Sequence, residues 1–353
     1  MTSASVLAEG LEQSRHQAPP APAPLWEFVR GSGLRSLVVG ASKDPNAKIT
    51  VLLVSPSSGR TVLAVKVPTT DAAARAVEAE GRALAELRHL PPGFSETIPR
   101  VVDWVDYEGR PGVVMTAVQG TPMSTSYMRW RNTARPARVG AHFAAVDGWL
   151  AEFQRETAGR TAPLDMDCGV SARLASRFAG DDRIGDDLER LAEIHARLAT
   201  NAVPSTAVHG DLWFGNVLLA GERASGVVDW EAASSAGQPV RDLVRFAVMY
   251  ALFLDRRTRA GRAVPGHPGL RVGTWGAGVE YALDGNGWFP DLFRAFLRDG
   301  LGRLGASPDL WRDAALAGIA EVAALTDDFE FAHRNLELFR RTGQGQARRK
   351  ELE

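Results

Sequence analysis

The feature that most constrains the fold of this chain is a change of periodicity part-way along it. From Trp26 to about Val118 short β-branched runs dominate, whereas beyond about Met123 apolar residues recur at helical spacing. Ile49 to Val54 (ITVLLV) and Thr61 to Val67 (TVLAVKV) are separated by SPSSGR, whose Pro, Ser and Gly predict a hairpin turn. An earlier strand lies somewhere in WEFVRGSGLRSLVVG, on either side of Gly31-Ser32-Gly33 or, alternatively, as LRSLVVG itself. A helix is expected from Asp71, as its cap, to Leu90, where Pro91-Pro92 stops it. Two more strands, Arg100 to Tyr107 and Val113 to Val118, flank EGRPG.

Helical segments follow around 138–157, 171–198, 239–256, 287–303 and 308–340, with one island of strand and turn between Ala207 and Trp230. A small sheet-rich half followed by a larger helical half predicts an α+β chain of two lobes with a cleft between them. The boundaries read as 25–120 and 121–343. Residues 1–24 end in APPAPAP and read as a flexible lead, and 344–353 as a frayed tail.

Composition narrows the functions more than the fold. A formal net charge of −1 gives no footprint for nucleic acid, so any anionic ligand has to be held by local geometry. The single cysteine, Cys168, cannot build a disulfide framework and reads as a partly buried structural thiol. No run is long and apolar enough to span a bilayer, and the first residues have neither a basic start nor an apolar stretch. A cytoplasmic location without a membrane partner is the expectation, and the oligomeric state is left open. Arg129-Trp130-Arg131 and Arg348-Arg349-Lys350 read as solvated basic surface.

The island carries the chemistry. It reads HGDLWFGN over 209–216, then VLL, AGERASG and VVDWE to Glu231. VLL and GVV are two strands joined by a glycine-containing turn, so Asn216 stands just before one strand and Asp229 at the end of the next. The loop ahead of the hairpin delivers Asp211 beside them. Two carboxylates and an amide oxygen converging in this way form a hard-oxygen site suited to Mg²⁺, which takes few protein ligands.

HGDLWFGN followed by VVDWE resembles the catalytic loop and metal segment of the aminoglycoside phosphotransferase and choline kinase superfamily, which shares the protein-kinase fold. The likeness runs from about residue 28 to 335 and is dense over 208–245. It implies a small antiparallel-sheet N-lobe of five strands and a larger, mainly helical C-lobe. It also implies ATP and Mg²⁺ as cofactors and a small hydroxyl-bearing molecule as acceptor. Asp211 would be the catalytic base or positioning carboxylate, Asn216 and Asp229 would hold the metal, and His209 would fix the loop. Asp242, in GQPVRDLVRF, falls where the family braces that loop, or is simply an acidic residue at a helix start.

The same resemblance predicts a phosphate-directed lysine on the third strand, Lys66. Its partner is expected on the following helix: Glu80, because Leu84 and Leu87 share its inward face, with Glu78 as the alternative. Phosphate cover is expected from Gly31-Ser32-Gly33, or from Gly40-Ala41-Ser42 if LRSLVVG is the strand. Met115 to Val118 resembles the hinge that reads adenine. For the acceptor, Trp213 and Glu231 are candidates. Asp327 and Asp328, with Glu330 and two interleaved phenylalanines, are either a cation-binding wall or a helix junction. An amino sugar, sugar, aminoglycoside or amino alcohol is the implied substrate class. A protein Ser/Thr kinase relative is disfavoured by Trp230-Glu231 after the metal aspartate and by the lack of an Ala-Pro-Glu signature. A nucleotide-binding regulatory module has no physical need to keep Lys66, Asp211, Asn216 and Asp229 together.

Overall fold

A computed structural model describes residues 22–41 and 47–350, and the expectations for most of the lead and the end of the tail lie outside them. The described chain forms two compact units. One holds residues up to Glu78 together with Val101–Ala117, and the other holds Ala79–Arg100 and the described residues from Val118 onward. The fold is α+β, with an antiparallel-sheet N-terminal region and a helical C-terminal region.

In the first unit β1 (Ala23–Pro24), β2 (Arg35–Ala41), β3 (Lys48–Val54), β4 (Thr61–Pro68), β5 (Val101–Tyr107) and β6 (Arg110–Thr116) form one sheet in the order β1-β5-β6-β4-β3-β2. The period of two explains its core: Val51 and Leu53 on β3, and Val65 and Val67 on β4, alternate onto one buried face with Val105 and Val114. The helix α1 (Leu25–Gly31) covers that face through Leu25, Phe28 and Val29. The five expected strands become six because Ala23–Pro24 adds parallel to β5, Ala23 lying opposite Val105.

The first long strand is LRSLVVG in essence, and Gly31-Ser32-Gly33 is not a strand-to-strand turn. It closes α1. Ser32 Oγ donates to the Val29 carbonyl at 2.7 Å and accepts the Leu34 N–H at 3.2 Å, and Gly33 takes a φ of +65°. Of the alternative turn, Gly40 and Ala41 end β2, and Ser42 lies outside the described residues. The helix α2 (Asp71–Glu86) is also capped differently from expectation: Thr70 Oγ1, not Asp71, accepts the Ala73 N–H at 3.1 Å.

The second unit is built from β7 (Thr121–Pro122), α3 (Met123–Tyr127), α4 (Pro136–Glu156), β8 (Thr161–Pro163), α5 (Val170–Arg177) and α6 (Ile184–Ala199). Then come β9 (Ala202–Pro204), β10 (Thr206–Val208), β11 (Val217–Ala220), β12 (Arg223–Val227), β13 (Ser234–Gly237) and α7 (Val240–Leu252). The chain ends with α8 (Ala277–Asp284), α9 (Trp288–Arg303), α10 (Trp311–Leu325) and α11 (Phe329–Lys350). Two long helical patterns are broken by local polar chemistry. Between α5 and α6 the Asp181 carboxylate accepts the Arg183 N–H at 2.9 Å, and between α10 and α11 Asp328 accepts the Phe331 N–H at 2.8 Å. Cys168 is exposed rather than partly buried; it sits in a turn with its thiol directed at the Asp165 carbonyl. Among the described residues no helix is long and apolar enough to cross a membrane.

Aromatic packing holds the helices around α7. The Phe143 ring on α4 lies 4.9 to 5.2 Å from Tyr250, Phe246 and Phe296, each such pair adding about 0.5–1.5 kcal/mol beyond burial. Two of the buried histidines in this unit, His142 and His267, have their titration shifted by burial. His142 bridges the Tyr250 hydroxyl at 2.9 Å and Ser126 Oγ at 3.0 Å, and His267 directs Nε2 at the Thr133 carbonyl at 2.8 Å. Burial pushes both down to about 4 from the ordinary 6.5. Between those values the unfolded chain binds protons that the folded chain does not, so stability is lost as pH falls through that window. Each sets an upper bound of roughly 3 kcal/mol, on the scale of about 1.4 kcal/mol per unit. The melting temperature is expected to fall steadily from pH 6.5 to pH 4.5. A flat profile by calorimetry would show that these histidines titrate freely in the folded chain.

Candidate active site

The site starts from a buried carboxylate. Asp242, in the first turn of α7, accepts the backbone N–H of His209 at 2.7 Å and that of Gly210 at 2.8 Å. Burial pushes its carboxyl up, opposed by His209 and by these two N–H groups. His209 is fully buried; its Nδ1 accepts the Asp211 N–H at 3.2 Å, which leaves Nε2 as the donor to the Val228 carbonyl at 3.0 Å. One imidazole therefore ties the loop to the strand that precedes Asp229.

The turn at Gly210 accepts no side chain. Its φ is +79°, and a Cβ there would stand 2.2 Å from the Ala232 carbonyl oxygen. The chain after β12 is thus packed directly against the loop before β11.

The hairpin β11–β12 pairs Val217 with Val227, and Asn216 extends the ladder by accepting the Val228 N–H on its carbonyl at 3.0 Å. Asn216 and Asp229 are brought together as the spacing predicts. The Asn216 amide is oriented by Asp211: Nδ2 donates to the Asp211 carbonyl at 3.0 Å and to its carboxylate Oδ2 at 3.3 Å. That directs Oδ1 away from Asp211 as an acceptor. Asp229 takes a φ of +73°, a left-handed conformation that aspartate tolerates better than most residues and that active sites often hold. An amide oxygen and a carboxylate carried on paired backbone are hard donors of the kind Mg²⁺ uses, so these residue types fit that ion.

Trp230 anchors the end of the segment. It is fully buried, donates from Nε1 to the Val227 carbonyl at 2.9 Å and lies 4.6 Å from the His209 ring. Its backbone N–H goes to the Glu80 carboxylate at 3.1 Å, and Glu80 is itself fully buried, as is Leu84 one turn further along the helix. Lys66 stands in β4 opposite Thr50 and Val113, on the sheet face away from Val65 and Val67. Met115 is buried in β6, and Val118 opens the segment leading to β7, which pairs with β11 through Thr121 and Leu219.

One residue escaped the sequence reading. Arg245 on α7 grips Asp211 Oδ1 with both Nε at 3.0 Å and a terminal nitrogen at 2.5 Å. It stands three residues after Asp242, so one helix face serves both, and that i, i+3 spacing in VRDLVRF was the available signal. Oδ1 of Asp211 is held by two arginine donors and Oδ2 by the longer bond from Asn216, so Oδ2 is the less engaged oxygen.

A family model described as "Phosphotransferase enzyme family" matches residues 48–272, more than half of the chain and the whole of this loop and hairpin. The chain belongs to that phosphotransferase family. A homoserine kinase from Methylobacterium sp. (strain 4-46) is 29% identical over 123 residues, 35% of this chain and 36% of that relative. The match therefore spans little over a third of the relative's length. Among solved structures, aminoglycoside phosphotransferase APH(4)-Ia aligns at a TM-score of 0.55 with 14% identity, over 90% of this chain and 98% of that one. A thermostable mutant of the same protein, in a ternary complex with ADP and hygromycin B, aligns at 0.54 with 14% identity, covering 90% and 98%. At such identities the likeness is one of fold.

Within this phosphotransferase the acceptor candidates separate. Trp213 belongs to the loop itself, its ring 4.9 Å from Phe214 and 6.0 Å from Phe253. Glu231 follows Trp230 and is half-buried. The acidic segment is a helix junction: Asp328 caps α11, and the Thr326 and Asp327 carbonyls receive Arg177 at 2.5 and 3.2 Å. The carboxylate of Asp328 is thereby spent on the cap.

Gly210→Ala is expected to destabilise the protein by about 2 kcal/mol or more, since overlap with backbone adds to a strained φ. Gly221→Ala, at a φ of +64° with open space around it, isolates the conformational part and is expected to cost about 1 kcal/mol. Urea unfolding of the two variants checks this; equal midpoints would mean that the contact with Ala232 relaxes at no cost.

Proposed function

We propose that this protein is an ATP-dependent small-molecule kinase, moving the γ-phosphoryl group of Mg-ATP to a hydroxyl. The observation that carries the reading is the arrangement around Asp211. Its Oδ1 is held by Arg245, its Oδ2 faces the Asn216 amide, and the Asn216 carbonyl takes the N–H of Val228, the residue before Asp229. Family membership and the kinases and phosphotransferases among its relatives support the same reaction class.

Asn216 and Asp229 would hold the metal, which when bound neutralises charge on the phosphates and orients them for in-line transfer. Lys66 would contact the α- and β-phosphates, and the segment from Met115 to Val118 would receive the adenine. Glu80 would be held ready through its bond to Trp230. Asp211 orients the acceptor hydroxyl through Oδ2 and accepts its proton as the oxygen attacks the γ-phosphorus. The bond to the β–γ bridging oxygen breaks and ADP departs. Because the transition state is loose, positioning supplies most of the rate, and a carboxylate clamped on one oxygen is suited to that task.

The acceptors implied by the resemblance are amino sugars, sugars, aminoglycosides and amino alcohols, and the catalytic loop alone favours none of them. Asp211→Asn keeps the size and removes the proton acceptor. It is expected to lower kcat by about 10²–10⁴-fold while the affinity for Mg-ATP is retained. Coupled ADP release and calorimetric titration with a non-hydrolysable nucleotide read the two quantities separately. Undiminished turnover in this variant would remove Asp211 from the chemistry.

A further inference from the structure

Arg129-Trp130-Arg131, a solvated basic cluster by sequence, does not stand alone in the folded chain. It lines a pocket with Arg256 and Arg257, whose walls include Trp130, Phe253 and the hydroxyl-bearing Thr258. Several arginines of this unit are spent on carboxylates, Arg241 on Glu321 at 2.6 Å, Arg312 on Asp284 at 2.9 Å and Arg340 on Asp187 at 2.5 Å, and others on backbone carbonyls, such as Arg190 on that of Phe339 at 2.9 Å. No ion pair among the described residues engages the four pocket arginines. The carboxylate nearest in sequence, Asp255, is half-buried with its pKa raised by burial, and it does not line the pocket. Positive charge is therefore concentrated there and left unneutralised by the protein.

One wall of the pocket, Phe253, packs against the catalytic loop. Arg256 lies over the Phe253 ring at 5.4 Å, and that ring is 6.0 Å from Trp213, two residues after Asp211. Phe253 also closes α7, the helix that presents Arg245 to Asp211. The eight-residue step from Arg245 to Phe253 corresponds to about 12 Å along the helix axis, the span of a small molecule reaching from one point to the other. Trp130, three-quarters exposed between two arginines, and Phe253 add apolar walls, which suit an organic anion better than a bare inorganic one.

We infer that this pocket receives the anionic end of the acceptor. The molecule phosphorylated is then a hydroxyl compound carrying a carboxylate or a phosphate, rather than a polycationic amino sugar. The inference rests on the kinase reading of the catalytic loop and narrows its substrate class. Arginine forks match both anions, and a cluster with no carboxylate partner is attractive to either and repels a cation.

The test offers three scaffolds of increasing length, glycerol, a hexose and a disaccharide, each as carboxylate, phosphate, neutral and amine forms. Binding and Mg-ATP-dependent phosphorylation are measured for the full chain, for Arg256→Ala/Arg257→Ala, for Arg129→Ala and for Asp211→Asn, with ATP affinity read in the same samples. Within a scaffold, kcat/KM for the anionic members is expected to exceed that for the neutral and amine members by about tenfold or more, worth about 1.4 kcal/mol. The double variant raises KM for those members by a similar factor. The stronger of the carboxylate and phosphate arms identifies the anion. Preference for neutral or amine members, a KM indifferent to the arginine variants, or no binding of any anionic member overturns the inference and leaves the kinase reading intact wherever turnover depends on Asp211. Arginine-dependent binding of an anionic member that is never phosphorylated sinks the kinase reading and leaves the anion pocket standing.

Discussion

The bonds from the Asp242 carboxylate to the His209 and Gly210 N–H groups are the interaction on which the rest of the site depends. A carboxylate buried to this degree is costly, by several kcal/mol before compensation. It is retained where its hydrogen bonds organise backbone that no regular ladder reaches. Hydrogen bonds to a charged group contribute about 1.5–3 kcal/mol each, enough to hold a loop with a left-handed glycine in one conformation. From that fixed loop follow the His209 tie to Val228, the position of Asn216 and the close approach of Ala232.

The helix α7 does more than support the core. Its inner face is aromatic, with Phe246 and Tyr250 packed on α4, and its first turns carry the two charges that address the catalytic loop. Asp242 takes backbone donors, and Arg245 takes a side-chain acceptor. Opposite charges three residues apart act on successive residues of the loop, so a single rigid element sets both its backbone path and the orientation of Asp211. Trp230 completes the frame from the other side, filling space against His209 and Phe153 while its N–H is met by Glu80.

Charge in this chain is balanced in total and uneven in place. The near-cancellation of acidic and basic residues excludes a global field, yet among the described residues Arg129, Arg131, Arg256 and Arg257 line one pocket without an ion pair to a carboxylate. Membership of the phosphotransferase family accounts for the loop and hairpin, and the fold is common to the relatives. Those features speak to phosphoryl transfer. The surroundings of Phe253 concern what is presented to it, and there local electrostatics carry the information that the shared motif does not.

The candidate site was legible in the sequence because its residues are close along the chain. Asp211, Asn216 and Asp229 fall within one loop and one hairpin, whose turn chemistry brings them together without help from distant elements. The sheet hairpin of β3 and β4 and the helix at Asp71 were legible for the same reason, through period and punctuation. Where competing local bonds acted, the reading went astray. The Ser32 hydroxyl turned an expected strand turn into a helix end and Thr70 displaced Asp71 as cap, while Asp328, in a segment left open between an acidic wall and a helix junction, caps a helix. Only the tertiary structure decided that Arg245 grips Asp211 and that Arg129 and Arg131 share a pocket with Arg256 and Arg257. Those residues lie far apart in sequence, and long side chains meet according to how helices and loops pack, which no local spacing encodes.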